Sequence, residues 1–348
     1  MKKTQVALAA LALMASTAAL ADVTLYGTLD AAVEKSTGYG TYFNGSGAFS
    51  AGSNFGLRGS EELSGGMKAN FALQQGIDMN QGNADNGGGA GSSFNQVAQV
   101  GLSGDFGSVT LGHSLSAYIA TYAGGFKGNG NFWVNHVIAA SGGNAAGGGA
   151  NQAGGFFVPN AITYSIPSIN GINATLQTTT GNDSSGTGTF SSDVTNKYMA
   201  GNISTTIGSL NIAYGFDRRT SLYKNQLVAA STSVGDLGLA ATYNNYSPDA
   251  GAVPSYSSWS VSGSYPLSDA TTIVLQQGGS KNPGDGTTDV SLTSLHLAHA
   301  LSKTTRLYIQ TTKGTGGVTG NYRDRGLSVA GTAVEGTTTT SVGIAHSF

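Results

Sequence analysis

"SVGIAHSF" (residues 341–348) alternates apolar and polar side chains up to the last residue of the sequence. Val342, Ile344 and Phe348 share one face with His346; Ser341, Gly343, Ala345 and Ser347 share the other. Chain ends ordinarily fray into solvent, so a strand pattern that persists to the final phenylalanine predicts a paired terminus. The predicted partner is the opening strand pattern, "VTLYG" (23–27), which would join the two ends of one sheet.

Composition says what such a sheet faces. Only 10% of residues are charged, against roughly 25% in soluble domains. There are 54 glycines, 15 tyrosines, 13 phenylalanines and no cysteine, so an exported chain would rely on hydrogen bonding and burial alone. Residues 1–21 read as a signal peptide: Lys2 and Lys3, an apolar run from Val6 to Ala15, and Ala19-Leu20-Ala21 before Asp22. The region 22–348 contains no apolar stretch long enough for a membrane helix. A transmembrane β-barrel reconciles these facts, because it shows lipid a neutral face and water an uncharged polar one. The net charge of −2 gives no reason to expect nucleic acid as a partner.

Period-two alternation recurs along the chain. In "VTLYGTLDAAVE" (23–34), Val23, Leu25, Leu29, Ala31 and Val33 oppose Thr24, Tyr26, Thr28, Asp30 and Glu34. "MKANFALQQG" (67–76) sets Met67, Ala69, Phe71 and Leu73 against Lys68, Asn70 and Gln74. No helical stripe competes. Seven short turns, from "EELSGG" to "LSKT", alternate with eight longer Gly/Asn/Ser-rich connections, the longest at about 114–158 and the fifth at about 217–223. This predicts an all-β, antiparallel barrel of sixteen strands with short periplasmic turns and long external loops. Lipid offers backbone groups no partners, so the sheet must close. Tyr164, Tyr214, Tyr243, Trp259 and Tyr265 fall on the apolar face near predicted strand ends, as an interfacial girdle would.

Several stretches, in order over the whole of 22–348, carry a resemblance: "VTLYGTLD" (23–30), "NFGLRGSEELSGGMKANFAL" (54–73), "VGLSGDFGSVTLG" (100–112), "AITYSIPSING" (161–171), "LSKTTRLY" (301–308) and "VGIAHSF" (342–348). They resemble the general diffusion porins of Gram-negative bacteria, of the trimeric β-proteobacterial type. The resemblance implies an outer-membrane homotrimer, passive passage of small hydrophilic solutes, and a third external loop folded into the lumen. It also implies that Phe348 is read by the barrel-assembly machinery. On this reading Tyr26, Thr28, Asp30, Asn54, Arg58, Lys68, Gln74, Gln96, Arg306 and Tyr308 line the pore wall. His113, Tyr118, Tyr122, Phe126, Lys127, Trp133 and His136 belong to the constriction loop.

The sequence departs from the family at the constriction. Asn54, Gln96, His113, Ala345 and Ser347 stand where relatives commonly carry arginine, and Gln74 where an acid is common. No Asp or Glu occurs between Asp105 and Asp183, so the loop has no carboxylate. Losing one charged wall favours losing the other, because an unpaired charge in a narrow passage is costly. The expectation is a weak transverse field, weak ion selectivity, and a lining of amides, hydroxyls and rings suited to neutral polar solutes. Arg58 and Lys68 flank Glu61 and Glu62 and are expected to pair with them. Arg218, Arg219, Arg323 and Arg325 lie in or beside external loops, where arginines bridge lipopolysaccharide phosphates.

Enzyme readings fail on spacing. His296 and His299 would point to opposite faces of a strand and cannot share a metal. Asp30 and Glu34 share a face, but four residues of strand put them about 13 Å apart, too far for paired acid–base work. No cofactor is implied. Two other readings remain open: a channel specific for neutral sugars or nucleosides, and a secreted adhesin-like β protein, which would show an internal repeat that is not found.

Overall fold

A computed structural model describes residues 22–38, 40–45, 52–80, 82–84, 93–123, 157–179, 197–220, 223–249, 255–281, 289–315 and 338–348. Sixteen long strands make the wall. They are β1 Asp22–Ser36, β2 Ser53–Glu62, β3 Lys68–Asp78, β4 Val97–Gly104, β5 Gly107–Leu115, β6 Phe157–Ser165, β7 Asn173–Thr179 and β8 Tyr198–Ile207. They continue as β9 Leu210–Arg219, β10 Tyr223–Val234, β11 Leu237–Pro248, β12 Tyr256–Ser268, β13 Thr271–Lys281, β14 Val290–Ala300, β15 Thr305–Thr315 and β16 Thr338–Ser347. Each pairs antiparallel with its sequence neighbour. Among the described residues no helix is long and apolar enough to cross a membrane.

The predicted seam is present. β1 pairs β16 from Thr28 opposite Ser347 to Ser36 opposite Thr339. Phe348 extends the ladder: Gly27 N donates to its carbonyl at 3.1 Å and its own N donates back to Gly27 O at 3.1 Å. The sheet therefore has no open edge, which is what removes the unsatisfied backbone row from lipid. Across the closure the side-chain parity is continuous: Asp30, Glu34, Ala345 and Ser341 are buried inside, while Val33, Val342, Ile344 and Phe348 are exposed outside.

The outer face carries the exposed hydrophobic residues, among them Leu111, Leu176, Ile203, Val228, Leu275 and Ile309. On a soluble protein such a patch would be a liability; around a full cylinder it is a lipid-facing band. Tyr164 and Tyr265 lie beside short turns, and Tyr164 OH donates to Phe106 O at 2.9 Å. Tyr214 and Tyr243 instead lie mid-strand, on one register row with Val228 and Trp259. The girdle expected from sequence is thus partly a ribbon that follows the strand register.

Three local features differ from expectation. The first long connection contains a short strand, Thr41–Asn44, paired with the external half of β1. The second contains Asn83–Ala84, paired with Ile77–Asp78. The fifth is far shorter than the predicted 217–223: β9 runs to Arg219 and β10 starts at Tyr223. Meanwhile the short-side link between Ser165 and Asn173 is longer than that external one. Length alone therefore does not assign a connection to a side; strand direction does.

Candidate functional site

Two parts of the inner wall differ in chemistry. One part, β7–β10, carries the small and apolar inward residues Ala200, Ala213, Gly215, Leu227 and Ala229, flanked by the polar Gln177, Asn202, Asp217 and Asn225. Onto it docks helix α1, Ala117–Ala123, which follows β5 directly. A seven-residue helix is unstable alone, so its environment holds it. Ala117, Tyr118 and Ile119 join Val158, Ala161, Tyr198, Ala200 and Leu227 in the largest buried cluster.

Polar contacts fix the helix's position. Asn202 Nδ2 donates to Ala117 O at 2.8 Å, and Ala117 N donates to Gln177 Oε1 at 3.1 Å. Gln177 Nε2 in turn donates to Ser114 Oγ at 3.0 Å and Leu115 O at 3.1 Å. Ser116 Oγ meets Tyr198 OH at 2.8 Å, and Tyr118 OH donates to Asn244 Oδ1 on β11. The predicted inward fold of the third loop holds for its first turn. Tyr122 lies on that helix, while Phe126, Lys127, Trp133 and His136 lie outside the described residues.

His113 is misassigned by the sequence reading. It stands on β5 opposite Ala98, on the parity of the lipid-exposed Leu111, and its ring stacks on Phe157 at 6.1 Å. It is a wall residue, not part of the inserted loop. The irregular register between Gly112 and Ser114, with Asn160 at φ 53°, obscures this in the sequence.

The second part of the wall, β13–β16 and β1–β4, is polar. Tyr26, Thr28, Asp30, Asn54, Arg58, Lys68, Gln74, Arg306 and Tyr308 all take inward parity. Gln96 precedes β4, is buried, and accepts from Gln74 Nε2 at 2.5 Å; Tyr26 OH donates to Gln74 Oε1 at 3.1 Å. Thr28 Oγ1 meets Ser347 Oγ at 3.0 Å, and Asn54 Nδ2 donates to Gly52 O at 3.1 Å. Lys68 pairs with Glu62 at 2.6 Å as expected. Arg58 does otherwise: its guanidinium lies over the Tyr26 ring, 5.1 Å from the centroid.

The mid-strand carboxylates of β1 are locked. Asp30 and Glu34 are both fully buried. Asp30 Oδ1 accepts from Tyr308 OH at 2.6 Å, and the Tyr308 ring stacks on His296 at 5.9 Å. Glu34 accepts from Ser341 Oγ at 2.8 Å, Asn44 Nδ2 at 3.0 Å and Tyr42 OH at 2.5 Å. His296 and His299 do point to opposite faces, His299 meeting Thr271 Oγ1 at 2.8 Å on the outside. Removing a donor to a buried carboxylate costs about 1.5–3 kcal/mol. Tyr308→Phe is therefore expected to lower the denaturant midpoint of the folded barrel, whereas Thr311→Val on the outer face should leave it nearly unchanged.

A family model described as Gram-negative porin matches residues 7–317. The chain belongs to the Gram-negative porin family. Over its whole length this porin is similar to outer membrane porin protein 32 of Delftia acidovorans, 29% identical over 378 aligned residues and covering 100% of both chains. Its fold is similar to the anion-selective porin from Comamonas acidovorans: 24% identity, TM-score 0.72, covering 94% of this chain and 100% of that one. It is also similar to the trimer form of OmpT from Vibrio cholerae, at 13% identity and TM-score 0.66, covering 94% and 99%. The porin is an outer-membrane barrel that passes small hydrophilic solutes by passive diffusion. Its family is not an enzyme class, and the adhesin-like reading is set aside.

Sequence reasoning missed the docking wall. The signal was there in "IAYGF" (212–216) and "LVAA" (227–230), where both parities are apolar or small. A strand apolar on both faces is covered on both faces, and here the inner cover is α1.

Proposed function

We propose that this porin is a weakly ion-selective channel for small neutral polar solutes. Its narrow part lies between α1 and the polar wall that carries Tyr26, Arg58, Gln74, Arg306 and Tyr308. The observation that carries the reading is the burial of Asp30 and Glu34: neither acid offers its charge to a passing ion. Arg58 remains exposed, so the residual preference is for anions. In a salt gradient across a planar bilayer, the reversal potential should stay close to zero and lean slightly to the anion side. A strong cation preference would contradict it.

Three further assignments belong to the same reading. Residues 1–21 are a signal peptide removed on export. The protein assembles as a homotrimer, which single-channel steps in threes would reveal. Phe348 presents the closing strand to the barrel-assembly machinery, and lipopolysaccharide surrounds the external half of the barrel.

A second reading, a channel specific for one class of sugar or nucleoside, draws on the inward tyrosines at the external end. Tyr223, Tyr246 and Tyr256 stack at 5.7 and 4.7 Å, beside the amides of Asn225 and Asn244. Saturable block of the current by one such solute and not by others would favour it.

A further inference from the structure

Arg58 stands between two attractions on the inner face of the wall. It faces Thr24 across the β1–β2 ladder, so its diagonal neighbours on β1 are Tyr26 on the external side and Asp22 on the short-turn side. Glu62 lies on the same face of β2, further toward the short turn. Opposite charge favours the two acids. The guanidinium nevertheless lies over the Tyr26 ring, and among the described residues it forms no ion pair; Glu62 is paired with Lys68 instead.

One register row explains the choice. Tyr26, Gly56 and Gln74 are successive cross-strand partners on β1, β2 and β3. Gly56 has no side chain, and the Tyr26 ring occupies the space: a Cβ on Gly56 would stand 2.7 Å from the ring's Cζ and 2.8 Å from its OH. The hydroxyl thereby reaches β3, where it donates to Gln74 Oε1 at 3.1 Å, and Gln74 is held in turn by Gln96. The phenol is laid along the wall, with one face against β2 and the other beneath the guanidinium. A ring face is a seat for a cation. An exposed ion pair gains little over two solvated charges, so the ring competes successfully.

The height of the guanidinium decides what it acts on. Tyr26 and Asp22 are four residues apart, about 13 Å along the strand. Exposed charges act over about 10 Å at 0.1 M salt. Over the ring, Arg58 presents an uncancelled positive charge to the passage. Turned toward Asp22 and Glu62, it would be neutralised at the short-turn mouth.

We propose that Tyr26 is a positioning residue for ion preference: seated over Gly56 and tied to Gln74, its ring keeps the Arg58 guanidinium in the passage and away from the acids at the mouth. The assignment rests on the proposed reading of a weak anion preference that comes from Arg58, and it names the device that maintains it.

The test measures reversal potentials of folded porin in a salt gradient across a planar bilayer. Tyr26→Leu should shift the reversal potential to the value found for Arg58→Gln. Tyr26→Phe keeps the ring face and should retain most of the anion preference. The double variant Tyr26→Leu/Arg58→Gln should match Arg58→Gln alone, because no guanidinium is left to position; an added shift would mean that Tyr26 acts on the passage by another route, and the proposal fails. If Tyr26→Leu does not fold, Gln74→Leu decides, by releasing the hydroxyl that fixes the ring; part of the anion preference should be lost. An undiminished preference in the deciding variant overturns the proposal. A crystal structure of Tyr26→Leu gives a readout independent of selectivity: the guanidinium should have turned toward Asp22 or Glu62, and one found unmoved also overturns it. A strong cation preference in the unaltered protein would sink the weak-anion reading alone, while that crystal structure still reports whether Tyr26 holds Arg58 in place.

Discussion

Gly27→Val is expected to abolish the closed barrel. Gly27 lies at the seam, where its backbone exchanges two hydrogen bonds with Phe348. A Cβ built there would stand 2.6 Å from the carbonyl oxygen of Asn54 and 2.6 Å from Cζ of the Phe348 ring. The ring can turn away, but the Asn54 carbonyl belongs to β2 and cannot retreat without opening the β1–β2 ladder. Overpacking alone costs about 1–3 kcal/mol. Each backbone group then left unpaired in hydrocarbon adds several more. The folded, heat-modifiable species on a gel should fall by more than about tenfold, since about 1.4 kcal/mol is a factor of ten. Phe348→Ala keeps the ladder and removes only the ring, so its loss should be smaller. A Gly27→Val protein that folds as well as its parent would show that the seam tolerates displacement, and closure would not depend on the close approach of β1 to β2.

Closure, parity and the positions of the short turns are legible in the sequence because each rests on a strict period. Side chains alternate every residue, so Val33 and Val342 cannot be outside unless Glu34 and Ser341 are inside. What interrupts the period is hidden. Gly112 and Asn160, both at positive φ, break the register between β5 and β6. That irregularity is why His113 reads as a loop residue and proves to be wall. Partner choice is hidden too. Arg58 and Lys68 flank the same acidic turn, yet only Lys68 reaches Glu62, because Arg58 lies next to Tyr26 across the β1–β2 ladder and stacks there. Asp30 and Glu34 read as open lumen charges. Their locks come from Tyr308 and Ser341, remote in sequence, and from Tyr42 and Asn44 on a short strand with no signal of its own.

Gly215→Leu should narrow the channel. The absent side chain of Gly215 is the seat of α1: a Cβ there would meet Thr121 Oγ1 at 2.5 Å and Thr121 Cβ at 3.0 Å. Leucine fills that space completely and lifts the helix from β9. Thr121 itself is tied back to Ala117 O at 3.0 Å, so it cannot swing clear without unwinding this short helix. Once lifted, Ala117 loses Asn202, Tyr118 loses Asn244, and the cluster around Leu227 opens. None of these contacts closes the barrel wall, so folding should survive. Single-channel conductance should fall, because the displaced helix moves toward the axis of the passage, with added current noise from the loosened loop. Gly263→Leu is the matched control. It adds the same group on the lipid side of β12, where a Cβ has nothing nearer than Leu239 at 3.8 Å, and conductance should not change. Ion preference should persist in Gly215→Leu, because Arg58, Asp30 and Glu34 stand on the opposite wall. Unaltered conductance and noise in a folded Gly215→Leu protein would mean that α1 does not bound the narrow part of the passage, and the constriction would have to be sought between the polar strands themselves.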